Sequence, residues 1–429
     1  MTDTALLQTG LYGAGLALVG CVLFVITARA PRVLLTLFLA QITLTSGAIG
    51  FYPSAVVGGV HIYLGDIFTA LLVTVGVVRK LQQRNWLRQD TIFTTFALIV
   101  LVGFLSYIPQ FSIQSSVNHS RALFLSIGAY FWASSLGKWD EALLAPFVWA
   151  ALLGATVQNF LYLKNGFGSA SEGYWDEALG GWVSARPLQS SGALIMLCGL
   201  LVILSRSGAW NGTRVALTTY LAVSVVLSQH RSVWVAALIA ITVLAALAIR
   251  GSRQGIFAIL PALAAAIPIG VVGFIAFTNS SALVDSAQTT GTLDARFGFW
   301  TDRLAVDRSS FEWLMGGFLG PTPVQMDPRF QIEAHNMYIQ MLTTVGIVGL
   351  VLLLITLGLA FPRFADAQRR THSVMLIAVI VFGFFYTWPA WSFILLGLSC
   401  GYRVQNVIDS GSHRRQLVPK RTTRVSVAA

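Results

Sequence analysis

The sequence predicts an all-α, polytopic membrane protein of about 12 to 13 transmembrane helices, with a large external loop before the third-last helix. Of its 429 residues, 55% are apolar and only 10% are charged, and the mean hydropathy is +0.72. Apolar segments long enough to cross a bilayer recur along the chain between short charged breaks. Helices are the expected spanning element because lipid offers no hydrogen-bond partner to a free backbone group.

The apolar segments place the predicted spans in order. They lie at about 11–28, 33–51, 60–78, 91–109, 120–136, 141–163, 188–205, 215–229, 232–249, 256–277, 335–360, 373–387 and 390–405. We expect residues 1–410 to form a single transmembrane domain and the basic residues 411–429 to form a disordered cytoplasmic tail. No basic residue precedes the first apolar run, so this run is expected to stay in the membrane rather than act as a cleaved signal peptide.

The distribution of Lys and Arg predicts the orientation. Of the 28 basic residues, 20 fall on one side of the predicted spans and 8 on the other. The richer side is expected to be cytoplasmic. The external set is Arg121, Lys164, Arg186, Arg231, Arg296, Arg303, Arg308 and Arg329. This bias and a tail that can lie on anionic lipid explain most of the net charge of +11, so nucleic-acid binding is not expected.

Few ionisable residues fall within the predicted spans. Asp66 is expected either to make a structural hydrogen bond to a neighbouring helix or to face a polar cavity with a substrate role. The charged run 79–90 is expected to be a solvated cytoplasmic anchor. Cys21, Cys198 and Cys400 lie in separate spans without metal-ligand spacing, so neither a disulfide nor a zinc site is predicted.

The predicted external segment 164–187 is rich in aromatic and acidic residues. These are Glu172, Tyr174, Trp175, Asp176, Glu177 and Trp182. Aromatic rings beside carboxylates suit sugar recognition, and an interfacial aromatic belt is an equally good explanation. Arg186 ends the segment just before Pro187, where a cation can bind a ligand or simply reach toward the lipid headgroups.

Arg231 lies in a tight predicted external corner, 228–234, between two apolar runs. Its guanidinium presents a planar fork of donors that suits phosphate. A helix-end anchor is the simpler alternative, but Arg is unfavourable near the membrane and is ordinarily placed on the inner side.

The longest polar segment, 278–334, has 57 residues. Loops of this length are usually functional or disordered. Arg296, Trp300, Arg303 and Asp307 are spaced by four, three and four residues, which predicts a helix that carries all of them on one face. Gly316 to Gly320 then form a turn. We expect a partly helical lid over a cavity at lipid level, with a surface amphipathic helix as the alternative.

The stretch Glu333-Ala334-His335-Asn336-Met337-Tyr338-Ile339-Gln340 joins this loop to the next span. A histidine at that border can meet both a lipid-held and a soluble substrate. The positive end of the following helix disfavours an imidazolium, which keeps His335 neutral and able to accept a proton. An interfacial histidine, chosen for its amphipathic ring, is the alternative.

Together these features resemble the O-antigen ligase and O-antigen polymerase superfamily of bacterial membrane glycosyltransferases. The resemblance is carried by Arg186, Arg231, the helix from Arg296 to Trp300, the glycine turn, and His335 to Gln340 followed by 346–349. It covers about 185–360, and the chain departs from the usual ligase layout by one apparent extra span at the N-terminus.

The resemblance implies a GT-C-like, metal-independent enzyme without a cofactor in the bacterial inner membrane. Its site would face the external or periplasmic side, and would transfer a glycan from an undecaprenyl-diphosphate carrier to a glycan, lipid or protein acceptor. The residues fit this chemistry: a diphosphate leaving group needs cations at membrane level, and direct displacement inverts the anomeric carbon. We expect His335 and Arg231 to be catalytic. The expected substrate-binding residues are Arg186, Arg296, Arg303, Asn336, Tyr338 and Trp300.

Two other classes of protein are alternatives to a glycosyltransferase. A polysaccharide or lipid transporter or flippase would have ionisable residues at mid-span and broken helices. In this sequence the polar groups instead gather on the predicted outer face of the membrane. A non-catalytic membrane scaffold would make the arginine corners and His335 accidental. A polymerase and a ligase differ only in the acceptor, which the sequence does not distinguish.

Overall fold

The computed structural model describes residues 22, 25, 29–44, 54–57, 60–83, 86, 88–107, 113–136, 141–165, 173–176, 181–184, 186–206, 211–251, 291–316, 335–361 and 367–400. The helices are α1 Pro31–Leu44, α2 Leu64–Gln83, α3 Arg88–Tyr107, α4 Ile113–Ser135, α5 Ala145–Asn165, α6 Ser190–Ser205, α7 Gly212–Leu227, α8 Arg231–Gly251, α9 Gly291–Ala305, α10 Ser310–Met315, α11 Met337–Ala360, α12 Ala367–Gly383 and α13, 392–400. A short 3₁₀ turn, Glu141–Leu143, precedes α5.

The helices follow the predicted spans closely. Among the described residues, three are long and apolar enough to cross a membrane by length and composition: Arg88–Leu105, Ala145–Lys164 and Met337–Ala360. Five further apolar helices, within α1, α6, α7, α8 and α12, are shorter. The predicted span 256–277 and almost all of 11–28 lie outside the described residues, so the count of 12 to 13 remains a prediction.

Two short antiparallel hairpins depart from the all-α prediction. β1 (Ser54–Val57) pairs with β2 (Val60–Tyr63), and β3 (Gly173–Asp176) pairs with β4 (Gly181–Ser184). Placing residues 60–63 in a helical span was therefore wrong. Their apolar, β-branched composition suits either structure, but two glycines stand just before them, at Gly58 and Gly59, and such a pair between β-branched runs favours a hairpin.

The helices pack into one bundle with a shared apolar core. α2 packs on α4, α5 on α6 and α1, α8 on α12, and α3 on α11. The largest fully buried side chains include Trp132, Trp391, Tyr130 and Phe93. The rings of Phe93 and Tyr130 stack at 3.8 Å between centroids. Consecutive helices that run in opposite directions bring alternate helix ends to the same end of the bundle.

Two ion pairs join the early helices. Lys80 Nζ lies 2.7 Å from Asp90 Oδ2, and the two side chains are 2% and 0% exposed. The prediction that 79–90 is a solvated anchor was therefore wrong for these two residues, because their opposite charges are paired where α2 ends and α3 begins. Asp66 lies 2.6 Å from Arg121 Nε on α4, which gives Asp66 the structural role that the sequence left open.

Cys198 and Cys400 are buried, and neither forms a disulfide within the described residues. Cys21 lies outside the described residues.

Candidate functional site

Several helix ends and predicted site residues meet at one end of the bundle. Arg186 lies just before α6, Arg231 begins α8, and His335 lies just before α11. α7 and α12 end there, at Leu227 and Gly383. Contacts and charges link seven side chains at this end, which we call the cationic cluster: Arg186, His230, Arg231, Arg296, Arg303, His335 and Tyr386.

His230 holds Arg186 at the corner between α7 and α8. Nη1 of Arg186 lies 3.2 Å from Nδ1 of His230, and Nε2 of the same ring lies 3.0 Å from the carbonyl oxygen of Leu188. A carbonyl can only accept, so Nε2 carries the proton and Nδ1 accepts from Arg186. Burial, followed by the charge of Arg186, lowers the pKa of His230 to about 3, so the ring is neutral at physiological pH.

Arg296 of α9 interacts with four other side chains of the cationic cluster. Its guanidinium carbon lies 4.7 Å from the ring centre of Tyr386, which is a cation–π contact. Its charge acts on His230, Arg231 and His335. The α9 helix, which belongs to the segment predicted to be external, therefore adds a positive charge to a site formed by the ends of α8, α11 and α12.

His335 contacts an aromatic ring and lies within the field of two arginines. Its ring meets that of Tyr386 edge to face, with 5.3 Å between centroids. Burial, followed by the charges of Arg296 and Arg303, lowers the pKa of His335 to about 4. Its Nδ1 is buried and has no hydrogen-bond partner in the described part of the chain. Such an unsatisfied polar atom is uncommon in a folded protein and is typical of a functional site.

The two corners that carry the histidines share a backbone feature. Gln229, just before His230, has a φ of 58°, and His335 has a φ of 47°. Residues other than glycine are uncommon in this left-handed region, where they cost about 1 kcal/mol or more. Surrounding contacts must therefore hold both turns, and such local strain is frequent at functional sites.

Asn336 and Tyr338 hold the start of α11 against the end of α12. The Asn336 side chain accepts from the backbone N–H groups of Tyr338 and Ile339 at 3.0 and 3.1 Å, and donates to the carbonyl of Phe384 at 3.1 Å. The Tyr338 hydroxyl donates to the carbonyl of Ile380 at 3.0 Å. These contacts place His335 beside Tyr386, so both residues position the site. Direct substrate binding by them stays a prediction.

Arg303 ties α9 to α11. This side chain is 5% exposed, and its Nη1 donates to Oε1 of Gln340 at 2.8 Å. Nε2 of Gln340 donates in turn to Thr344 at 3.2 Å. The predicted helix carries Arg296, Trp300 and Arg303, but it ends at Ala305, so placing Asp307 on the same helix was wrong.

Trp300 packs edge to face on Phe297 of its own helix, with 5.0 Å between ring centroids. Its role as a substrate-binding residue stays a prediction.

A close backbone contact ties α10 to a break in α11. Gly346 interrupts α11 with a φ of 70°, and Gly316 ends α10 with a φ of 92°. A Cβ at Gly346 would clash with the backbone of Leu314 and Gly316. Glycine is therefore required at both positions, and α10 is held directly on the membrane helix that His335 precedes.

Three residues of the site escaped the sequence analysis. Tyr386 was counted as an apolar span residue, although it follows two phenylalanines shortly before Pro389. His230 lies in the corner 228–234 that the sequence analysis assigns to Arg231, and Gln340 ends the stretch that begins at Glu333. Their importance comes from contacts across 37 to 90 residues of chain, for which a single sequence carries no local signal.

Part of the predicted site lies outside the described residues or side chains. This part comprises Glu333, residues 317–320, and the aromatic and acidic side chains of 172–182. No group of three His, Cys, Asp or Glu with metal-binding geometry occurs in the described part of the chain.

Comparison with known families identifies the segment that forms most of this site. A model of the O-antigen ligase family, Wzy_C, matches residues 216–354. This match supports the resemblance to the O-antigen ligase and polymerase superfamily over that segment. This O-antigen ligase segment contains Arg231, Arg296, Arg303 and His335, whereas Arg186 and Tyr386 reach the same cluster from outside it. No curated protein and no solved structure matches the chain.

The geometry of the O-antigen ligase segment favours an anionic ligand next to a proton acceptor. Within the described residues, the charged groups that act on His335 are two arginines, and the two that act on His230 are arginines as well. A concentration of like charge attracts an anion such as a phosphate. A neutral imidazole beside that anion can accept a proton from a hydroxyl.

Proposed function

We propose that the protein is a membrane glycosyltransferase. It moves a glycan from an undecaprenyl-diphosphate carrier to an acceptor hydroxyl on the external face of the inner membrane. The observation that carries this proposal is the placement of His335 beside Tyr386 and within the field of Arg296 and Arg303, with its Nδ1 unsatisfied within the described residues. Arg296 acts on Arg231 as well. The superfamily supports the same class of reaction.

In the proposed reaction, the acceptor oxygen attacks the anomeric carbon and the bond from that carbon to the carrier diphosphate breaks. The hydroxyl proton passes to the imidazole of His335, and undecaprenyl diphosphate leaves as the anion. Arg186, Arg231 and Arg296 stabilise the charge that develops on the leaving group. A single displacement inverts the configuration at the anomeric carbon, and none of these steps requires a metal ion or a cofactor.

Donor binding would also make His335 a better base. In the unliganded protein, Arg296 and Arg303 help to lower the pKa of His335 to about 4. A diphosphate beside these arginines offsets their positive charge and raises this pKa toward the ordinary range of histidine. The base would thus gain strength when the donor is in place, because general bases work best with a pKa near the working pH.

Membranes of a deletion strain, which supply both the donor and the acceptor, allow a direct test with added purified protein. We expect His335→Ala to lower transfer by roughly 10² to 10⁴-fold, the usual contribution of a general base. Arg231→Ala should lower it by about 10² to 10³-fold through the loss of charge stabilisation. Lys164→Ala, which removes an exposed cation at the end of α5, is the matched control and should leave transfer unchanged.

Two results would contradict these assignments. Near-normal transfer by His335→Ala would remove His335 as the base. Unchanged donor affinity and turnover in Arg231→Ala would make Arg231 a helix-end anchor.

The acceptor separates a ligase from a polymerase, and the glycans of the deletion strain distinguish the two. Short, unpolymerised repeats indicate a polymerase. Long chains that remain on the carrier and lack their final anchor indicate a ligase.

One structural feature bears on a transporter as the alternative, namely the break in α11 at Gly346, since transporters often contain broken helices. However, residues 343–349 around the break contain no ionisable side chain. The buried pair Lys80–Asp90 lies at helix ends rather than at mid-helix. The glycosyltransferase therefore remains the better-supported function.

A further inference from the structure

The contact between His230 and Arg186 joins two parts of the chain that lie far apart in the sequence. Arg186 approaches from the segment before α6, outside the O-antigen ligase segment, and His230 lies inside that segment. His230 is 4% exposed, so the ring is held in the protein rather than by water. Both of its nitrogens have partners, Arg186 on Nδ1 and the Leu188 carbonyl on Nε2.

The Leu188 contact decides which nitrogen can accept. Because the carbonyl oxygen takes the proton of Nε2, the other nitrogen presents a lone pair to Arg186. The arginine guanidinium only donates hydrogen bonds, and its donors lie in one rigid plane. A neutral acceptor on one side can therefore orient the guanidinium without cancelling its charge. A carboxylate at the same place would neutralise Arg186, and an anionic ligand would then be bound more weakly.

We propose that His230 is a positioning residue: through Nδ1, a neutral acceptor, it aims the guanidinium of Arg186 at the donor diphosphate. This role rests on the proposed function, because it supposes a diphosphate between Arg186, Arg231 and Arg296. It adds a residue that need not touch the substrate. It also explains how Arg186, from outside the O-antigen ligase segment, is oriented toward the same ligand as Arg231 and Arg296 inside it.

A purely structural role for His230 makes a different prediction. In that case the bond to Leu188, which fastens the segment before α6 to the corner between α7 and α8, would be the one that matters. Two amide substitutions separate the roles. The amide oxygen of Asn can take the place of Nδ1, whereas the amide nitrogen of Gln, one bond further out, can take the place of Nε2. Asn therefore keeps an acceptor for Arg186, and Gln keeps a donor for Leu188.

The test is a calorimetric titration of the full-length protein in detergent with inorganic pyrophosphate. We expect His230→Gln to weaken pyrophosphate binding by about tenfold, the loss of one charge-assisted hydrogen bond. His230→Asn should stay within about threefold of the wild type, and Arg186→Ala should bind at least as weakly as His230→Gln. Equal weakening in the Asn and Gln variants, or better binding in Gln than in Asn, would overturn the positioning role.

A second measurement needs no substitution at His230. With ¹⁵N-labelled histidine, the His230 signal, identified by its change in Arg186→Lys, should show a neutral ring protonated on Nε2 across roughly pH 5 to 8. A proton on Nδ1 would overturn the proposal, because that nitrogen could then accept nothing from Arg186. Wild-type protein that binds no pyrophosphate would instead contradict the diphosphate site of the proposed function, and the ring signal would still decide the role of His230.

Discussion

The cationic cluster and the Lys80–Asp90 pair use buried charge in opposite ways. In the pair, Lys80 lies 2.7 Å from one Asp90 oxygen, and the Tyr130 hydroxyl donates to the other at 3.3 Å. The charge is neutralised within the protein. In the cluster, the charged groups that act on the two histidines are all arginines as far as the described ranges of the chain extend. A neutralised pair stabilises helix packing, whereas a gathering of like charges favours an anion supplied from outside.

Removing one partner of the neutral pair gives the largest expected effect on stability. Lys80→Ala leaves the Asp90 carboxylate buried without its counter-charge, and should lower the free energy of unfolding by roughly 3 to 5 kcal/mol. Thermal unfolding in detergent measures this change. The transfer rate per folded molecule should not change, which is the reverse of the expectation for His335→Ala.

The double variant Lys80→Met/Asp90→Leu serves as the control, because it removes both charges and should recover most of the stability. If Lys80→Ala instead reduced transfer without reducing stability, the Lys80–Asp90 pair would serve the reaction rather than helix packing. Its contrast with the cationic cluster would then be wrong.

Tyr386 tests whether the cluster depends on an aromatic ring. Tyr386→Leu removes the face under Arg296 and the edge beside His335, and should lower transfer by about three- to thirtyfold, in line with roughly 0.7 to 2 kcal/mol for a cation–π contact. Tyr386→Phe keeps the ring and should stay within about threefold of wild type. Equal losses in both variants would instead assign the effect to the hydroxyl.

The smallest expected change is electrostatic and concerns His335 itself. The pKa of His335 in the unliganded protein is about 4, below its ordinary 6.5. Pyrophosphate offsets Arg296 and Arg303, so a histidine NMR titration with and without it should show the pKa rise. Between pH 6.5 and about pH 4, His335 is protonated in the unfolded chain but neutral in the folded protein. The free energy of unfolding therefore falls as pH drops through this range.

The Lys80–Asp90 pair provides a control for the effect of pyrophosphate. Its two charges offset each other locally, so the loss of thermal stability in Lys80→Ala should be the same with and without pyrophosphate. A His335 pKa that does not respond to pyrophosphate would contradict an anion site beside Arg296 and Arg303.

The sequence predicted the helices better than their surroundings. Apolar composition located α3, α5, α6 and α11 within a few residues, because a membrane span requires a long local run of apolar residues. It did not separate the strand Val60–Tyr63 from a helix, since a four-residue apolar run suits both structures.

Burial of charge was the property that local composition described least well. The run 79–90 looks solvated along the chain, but Lys80 and Asp90 are buried because α2 and α3 bring them together.

For the site, the sequence alone determined the membrane class and singled out Arg186, Arg231 and His335. A charged or titratable residue at the border of an apolar run is unusual enough to be recognised from composition. Only the tertiary structure decided which groups share one electric field, that Tyr386 lies between Arg296 and His335, and that His230 accepts from Arg186. The contacts of His230 with Arg186 and of Tyr386 with Arg296 join residues 44 and 90 positions apart, and such contacts depend on how the helices pack rather than on any local pattern.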